Sequence, residues 1–105
     1  MTVSYRYNMR FPGSREQISR ACLEAVRQSG FKVTASDVAA GWVEARAGVS
    51  LRSWGENVYV RVDREDRVDV TSVSRVPFTT TDWGKNKSNV DRIFARLASL
   101  LPLDR

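Results

Sequence analysis

The sequence predicts an α+β domain ordered β-α-β-β-β-β-α, a single antiparallel sheet with two helices packed on one face. Three observations carry this. Five segments alternate apolar and polar residues with period two. Two segments, one near each end, carry apolar residues at helical spacing. Each strand has one apolar face only, as in an antiparallel sheet packed on one side and open on the other, so both helices belong on the packed side. At 105 residues the chain has the size of one domain. No repeat, linker or low-complexity tract divides it, so residues 1–105 are read as a single unit.

The elements follow in order. Val3, Tyr5, Tyr7 and Met9 alternate with Ser4, Arg6, Asn8 and Arg10, a half-buried strand that Pro12-Gly13 ends. Ser14 fits a helix N-cap, with Gln17 at the capping-box spacing. Ile18, Ala21, Cys22, Ala25 and Val26 form the apolar stripe of a helix over about 14–29. Gly30 stands where a left-handed residue closes such a helix. Phe31, Val33 and Ala35 make a short second strand, and Ser36 to Gly41 a connection. Val43, Ala45 and Ala47 share one side of a third strand that Val49 and Leu51 continue, with Gly48 as a candidate bulge.

Residues 53–57, Ser-Trp-Gly-Glu-Asn, read as a turn. Val58, Val60 and Val62 mark a fourth strand, and Asp63-Arg64-Glu65-Asp66 a charged hairpin turn. Val68 and Val70 open a fifth strand that reaches about Val76, stopped by Pro77. Thr79 to Gly84 lead into a second helix whose stripe is Val90, Ile93, Phe94, Leu97, Leu100 and Leu101, with Arg92, Arg96 and Ser99 facing away. Pro102 closes it.

Composition narrows the function. Hydrophobic residues make up 42% and charged residues 28%, close to globular averages, so disorder is expected only at the ends. The lone cysteine, Cys22, excludes an intramolecular disulfide and fits a reducing compartment; its place on the stripe reads as a small buried hydrophobe. The chain has no histidine, which removes the commonest metal ligand and the usual general base near neutral pH. No cofactor or metal is expected. The N-terminus has no secretory h-region and no apolar run approaches a bilayer span, so a cytoplasmic address without a membrane is expected. Formal net charge is +5, from 17 basic and 12 acidic residues, which serves solubility or a nucleic acid or other anionic partner.

Two segments stand out. Ser50-Leu51-Arg52-Ser53-Trp54-Gly55-Glu56 and Asp82-Trp83-Gly84-Lys85-Asn86-Lys87-Ser88-Asn89 each carry Trp-Gly beside a carboxylate. A meander of strands three, four and five brings both to one end of the sheet. Arg52, Ser53, Trp54, Glu56, Asp82, Trp83, Lys85, Asn86 and Lys87 then form a candidate binding edge at the start of the last helix. A helix N-terminus with lysines beside it suits a small anion. The same residues also have a structural reading: Asp82 or Thr81 caps the helix, the tryptophans cover the end of the core, and Glu56 pairs with a lysine.

The polar sheet face is the second candidate. Alternation places Arg6, Asn8, Arg10, Lys32, Trp42, Glu44, Arg46, Arg52, Tyr59, Arg61, Asp69, Thr71 and Arg75 on it. A basic face with aromatics meets nucleic acid in several small folds; cross-strand Arg–Asp and Arg–Glu pairing accounts for most of the same residues without a ligand.

The run Thr71-Ser72-Val73-Ser74-Arg75, followed by Asp82-x-Gly84-x-Asn86-x-x-Asn89-Val90, resembles the C-terminal half of a family of small uncharacterised bacterial domains. Ser53-Trp54-Gly55-Glu56 is similar to one version of that family's other segment. The likeness covers roughly residues 40–95, with departures at Trp83, Lys85 and Asn89. It implies that the two segments form one shared signature, and it carries no activity. The element order is also similar to the repeat unit of TATA-box-binding-protein-like folds, a likeness of topology alone.

The expectation is therefore a non-enzymatic binding or interaction module acting through the Trp54/Trp83 edge on a small anion or apolar ligand. The alternative is a nucleic-acid or polyanion binder using Arg6, Arg10, Lys32, Arg46, Tyr59, Arg61 and Arg75. Glu56 and Asp82 are the one carboxylate pair that an enzyme would use. Either a monomer or a homodimer is compatible, with strands one and two as the sheet edges.

Overall fold

A computed structural model describes residues 3–48, 55–63, 66–75 and 84–101. The chain runs β1 (Ser4–Arg10), α1 (Arg15–Gln28), β2 (Lys32–Asp37), β3 (Trp42–Ala47), β4 (Glu56–Val62), β5 (Arg67–Ser74) and α2 (Lys85–Leu100). All five strands form one antiparallel sheet in the order β1-β5-β4-β3-β2. β3, β4 and β5 are a meander, and the chain's first two strands occupy the two edges. Both helices lie on one face, α1 over β2, β3 and β4 and α2 over β5 and β1, and they pack against each other.

Local chemistry accounts for α1. Ser14 accepts a hydrogen bond from the Gln17 amide, and the Gln17 side chain accepts one from the Ser14 amide, a reciprocal capping box. At the other end the Gly30 amide donates to Arg27 O and the Phe31 amide to Val26 O, the paired closure of a Schellman motif. Gly30 sits at φ 84° with nothing near the position of a Cβ. Gly30→Ala therefore isolates backbone strain and is expected to lower stability by about 1 kcal/mol in urea denaturation.

The strands differ from expectation at their ends. β2 runs on through Ser36 and Asp37, where the turn-forming residues predict a connection. As an edge strand it needs only β3 beside it, and Asp37 then holds the turn by accepting from the amides of Ala40 and Gly41. Its register shifts between Val33 and Ala35; there the Thr34 hydroxyl donates to Glu44 O, 3.2 Å away. β4 begins at Glu56 instead of Val58, so Glu56 and Asn57 are strand residues paired with Ser74 and Val73. The suggested strand residues Val49, Leu51 and Val76 lie outside the described residues.

The core is the layer between sheet and helices. Val43, Ala45, Val58, Val60, Val62, Val68 and Val70 face Ile18, Cys22, Ala25, Val26, Val90, Ile93 and Leu97, all essentially fully buried. Tyr7, although on the inward side of β1, is half exposed at the sheet edge and meets Phe94 edge-on, with ring centroids 5.8 Å apart. Burial pushes the Cys22 thiol up to about 12. The thiolate is the reactive form, so native protein near neutral pH should resist iodoacetamide, and labelling should appear only in denaturant.

Candidate functional site

The inward faces of β4, β5 and α2 turn polar at one end. By period two, Glu56 continues the row Val62, Val60, Val58, and Ser72 and Ser74 continue Val68 and Val70. By helical spacing, Asn86 and Asn89 extend the stripe of Val90, Ile93 and Leu97 back toward the helix start. All five are buried. They hydrogen-bond to one another, as buried polar groups tend to. Ser72 Oγ donates to Asn86 Oδ1 at 2.7 Å, and Asn86 Nδ2 donates to Ser74 Oγ and to Val3 O, each at 3.0 Å. Asn89 Nδ2 donates to Glu56 Oε1 at 2.8 Å and to Ser72 Oγ at 3.1 Å.

Glu56 ends this chain of bonds at a pocket. The pocket, about 310 Å³ and open to solvent, is lined by Phe31, Gly48, Glu56, Gly84, Lys85, Ser88, Asn89 and Arg92. Glu56 is 4% exposed, and among the described residues its carboxylate takes one hydrogen bond, from Asn89. An ionised carboxylate offers about four acceptor positions. Gly48, at φ 67°, ends β3 beside it; a Cβ there would stand 3.2 Å from Glu56 Oε1 and 3.6 Å from Oε2. Gly48→Ala combines left-handed strain with crowding of the carboxylate. It should therefore cost more stability than Gly30→Ala in the same denaturation assay.

Cations form the outer wall. Lys85 and Arg92 lie two helical turns apart on one face of α2, with Ser88 between them. Arg92 is held in place: Nη1 donates to Ser29 O at 3.2 Å, and the guanidinium lies 5.7 Å from the centre of the Phe31 ring, within cation–π range. Lys85 occupies the first turn of α2, where the helix dipole disfavours a cation, and no acidic residue shares that turn.

Several expectations need correction. Gly84, which has no side chain, is the N-cap of α2, so neither Thr81 nor Asp82 occupies that position. Asn86 is fully buried and ties α2 to β5 and β1, so it is not part of an exposed edge. Lys87 points to solvent and pairs with Asp91 at 2.7 Å, which raises its pKa through that hydrogen bond and charge. Glu56 pairs with Asn89 and not with a lysine. Arg92 faces the pocket wall. Arg52, Ser53, Trp54, Asp82 and Trp83 lie outside the described residues. Of the expected edge, Glu56 and Lys85 do meet in one pocket.

The open sheet face carries the second set. Arg6, Thr71, Tyr59 and Glu44 form one cross-strand row, and Asn8, Asp69, Arg61 and Trp42 the next. Asp69 lies opposite Arg61 but bonds diagonally to Arg6, whose Nε lies 2.9 and 3.0 Å from its two oxygens. That hydrogen bond and charge raise the pKa of the exposed Arg6. Among the described residues Lys32, Arg46 and Arg61 form no ion pair, and Lys32 stands directly opposite Arg46. Tyr59 is 43% exposed and lines two shallow hollows of this face. Arg75 lies just past β5, its amide bonded to Gly55 O.

Fold and site together define a class: an antiparallel five-stranded α+β domain with a polar rim pocket beside the start of its last helix. No family model matches the chain, and no curated protein matches it either. Among the described residues no group of three or more His, Cys, Asp or Glu could hold a metal ion, and no helix is long and apolar enough to cross a membrane.

Proposed function

We propose that this is a non-enzymatic binding domain that takes a small polar ligand at the rim pocket between the β4 start and α2. One observation carries the reading: Glu56, a buried carboxylate, keeps acceptor capacity facing an open pocket. Burying a charge is costly unless it is paired and hydrogen-bonded. A purely structural carboxylate here would gain from a second donor, and a ligand donor fills that role. Lys85, in a helix turn unfavourable to it, and the pinned Arg92 give the pocket a second, oppositely charged wall.

The sheet face supports a second reading. Lys32, Arg46 and Arg61, which form no ion pair among the described residues, together with the exposed Tyr59 favour an extended polyanion such as single-stranded nucleic acid.

Thermal shift separates the two. A ligand present at about 100 times its Kd adds about 2.7 kcal/mol of stability. The rim reading expects small polar solutes to raise Tm, with the rise lost in Lys85→Glu and kept in Arg61→Ala. A rise produced only by a single-stranded oligonucleotide, fading with salt and lost in Arg46→Ala or Arg61→Ala, would favour the sheet face.

A further inference from the structure

Resting on the rim reading, we infer the class of its ligand: a compact zwitterion of amino-acid type, with a protonated amine against Glu56 and an anionic group against Lys85 and Arg92. The pocket's charges are segregated by depth. The negative group is buried at the floor, held against Gly48 and, among the described residues, bonded once, by Asn89. The positive groups stand on the exposed flank of α2. Asn89 donates to the floor carboxylate and on to Ser72, which ties the carboxylate down on one side, and Glu56 lines the pocket.

That arrangement discriminates by charge pattern. A simple anion, drawn to Lys85 and the start of α2, meets Glu56 as it descends, and like charges in a partly desolvated site repel strongly. A diamine satisfies Glu56 but sets its second ammonium against Lys85 and Arg92. An apolar molecule covers only part of the wall and leaves the carboxylate desolvated without a partner. A molecule with a donor cation at one end and an anion at the other satisfies both walls.

Three four-carbon compounds that differ only in their end groups test this: γ-aminobutyrate, putrescine and succinate, titrated calorimetrically at low ionic strength. The expected result is binding of γ-aminobutyrate in preference to the other two. Glu56→Gln, which keeps the shape and an acceptor for Asn89, should weaken it about tenfold or more, the scale of one charge-assisted hydrogen bond. Lys85→Glu, a surface change that spares the core, should weaken it as well. If putrescine or succinate binds best and its affinity still depends on Glu56 or Lys85, the ligand class is wrong and the rim reading stands. If no compound binds, the zwitterion class is overturned. If binding ignores both substitutions, the rim reading falls with it.

Discussion

Asn86→Ala is expected to destabilise the domain by about 3 kcal/mol, although Asn86 is a polar residue near a helix start. Its side chain is fully buried and, among the described residues, hydrogen-bonds to Ser72, to Ser74 and to the backbone of Val3. Those partners lie on β5 and at the head of β1, so one side chain joins α2 to the sheet edge. Alanine removes Asn86 from three buried partners; Val3 O keeps the Ser74 amide and Ser72 Oγ keeps Asn89, while the Ser74 hydroxyl loses its donor and the Ser72 hydroxyl its acceptor, each unsatisfied group costing about 1–3 kcal/mol before relaxation. The isosteric Asn86→Asp should be no milder. It keeps the acceptor for Ser72 but turns an acceptor toward Val3 O, and it buries a charge. Urea denaturation reads both as a lower midpoint at unchanged slope. A loss under about 1 kcal/mol in both variants would mean that the polar cluster does not hold α2 in place.

Ile93→Ala should cost a similar amount, about 3–4 kcal/mol, for the opposite reason. Ile93 is fully buried between Val90 and Leu97 against the valines of the sheet. Truncation removes transfer energy and leaves a cavity in a layer with little room to collapse. Leu100, 37% exposed on the same helix, is the internal comparison: Leu100→Ala should cost less than about 1 kcal/mol. The helix is thus held by apolar packing along its middle and by directional polar bonds at its start. The second kind fixes the start of α2 against β5 and aims Glu56 into the pocket.

The fold was legible because its signals were periodic. Alternation in β3, β4 and β5, the stripe of Ile18, Cys22, Ala25 and Val26, and the Ser14/Gln17 box each name their own element. The meander order then places residues 55–56 and 84–85 at one end of the sheet without coordinates. The site was only half legible, because its residues obey the period and break the polarity rule. Glu56, Ser72, Ser74, Asn86 and Asn89 all stand at inward positions, yet a polar residue at such a position does not read as core, and Glu56 reads as part of a turn. Local pattern makes Glu56 and Asn57 a turn, whereas β4 runs through both. Extending each stripe by one or two periods past its last apolar residue finds the cluster. Gly84 as N-cap had no such signal, since Thr81 and Asp82 are better capping residues by chemistry. The roles of Phe31 and Arg92 depend on how α1 ends beside α2, a tertiary contact that no local pattern reports.

Backbone amide shifts in labelled protein titrated with γ-aminobutyrate locate the site most directly. Movement centred on Gly48, Glu56, Lys85 and Ser88, with Tyr59 and Arg61 still, is the result this account predicts. Movement centred on Arg46, Tyr59 and Arg61, with the Glu56 corner silent, would contradict it.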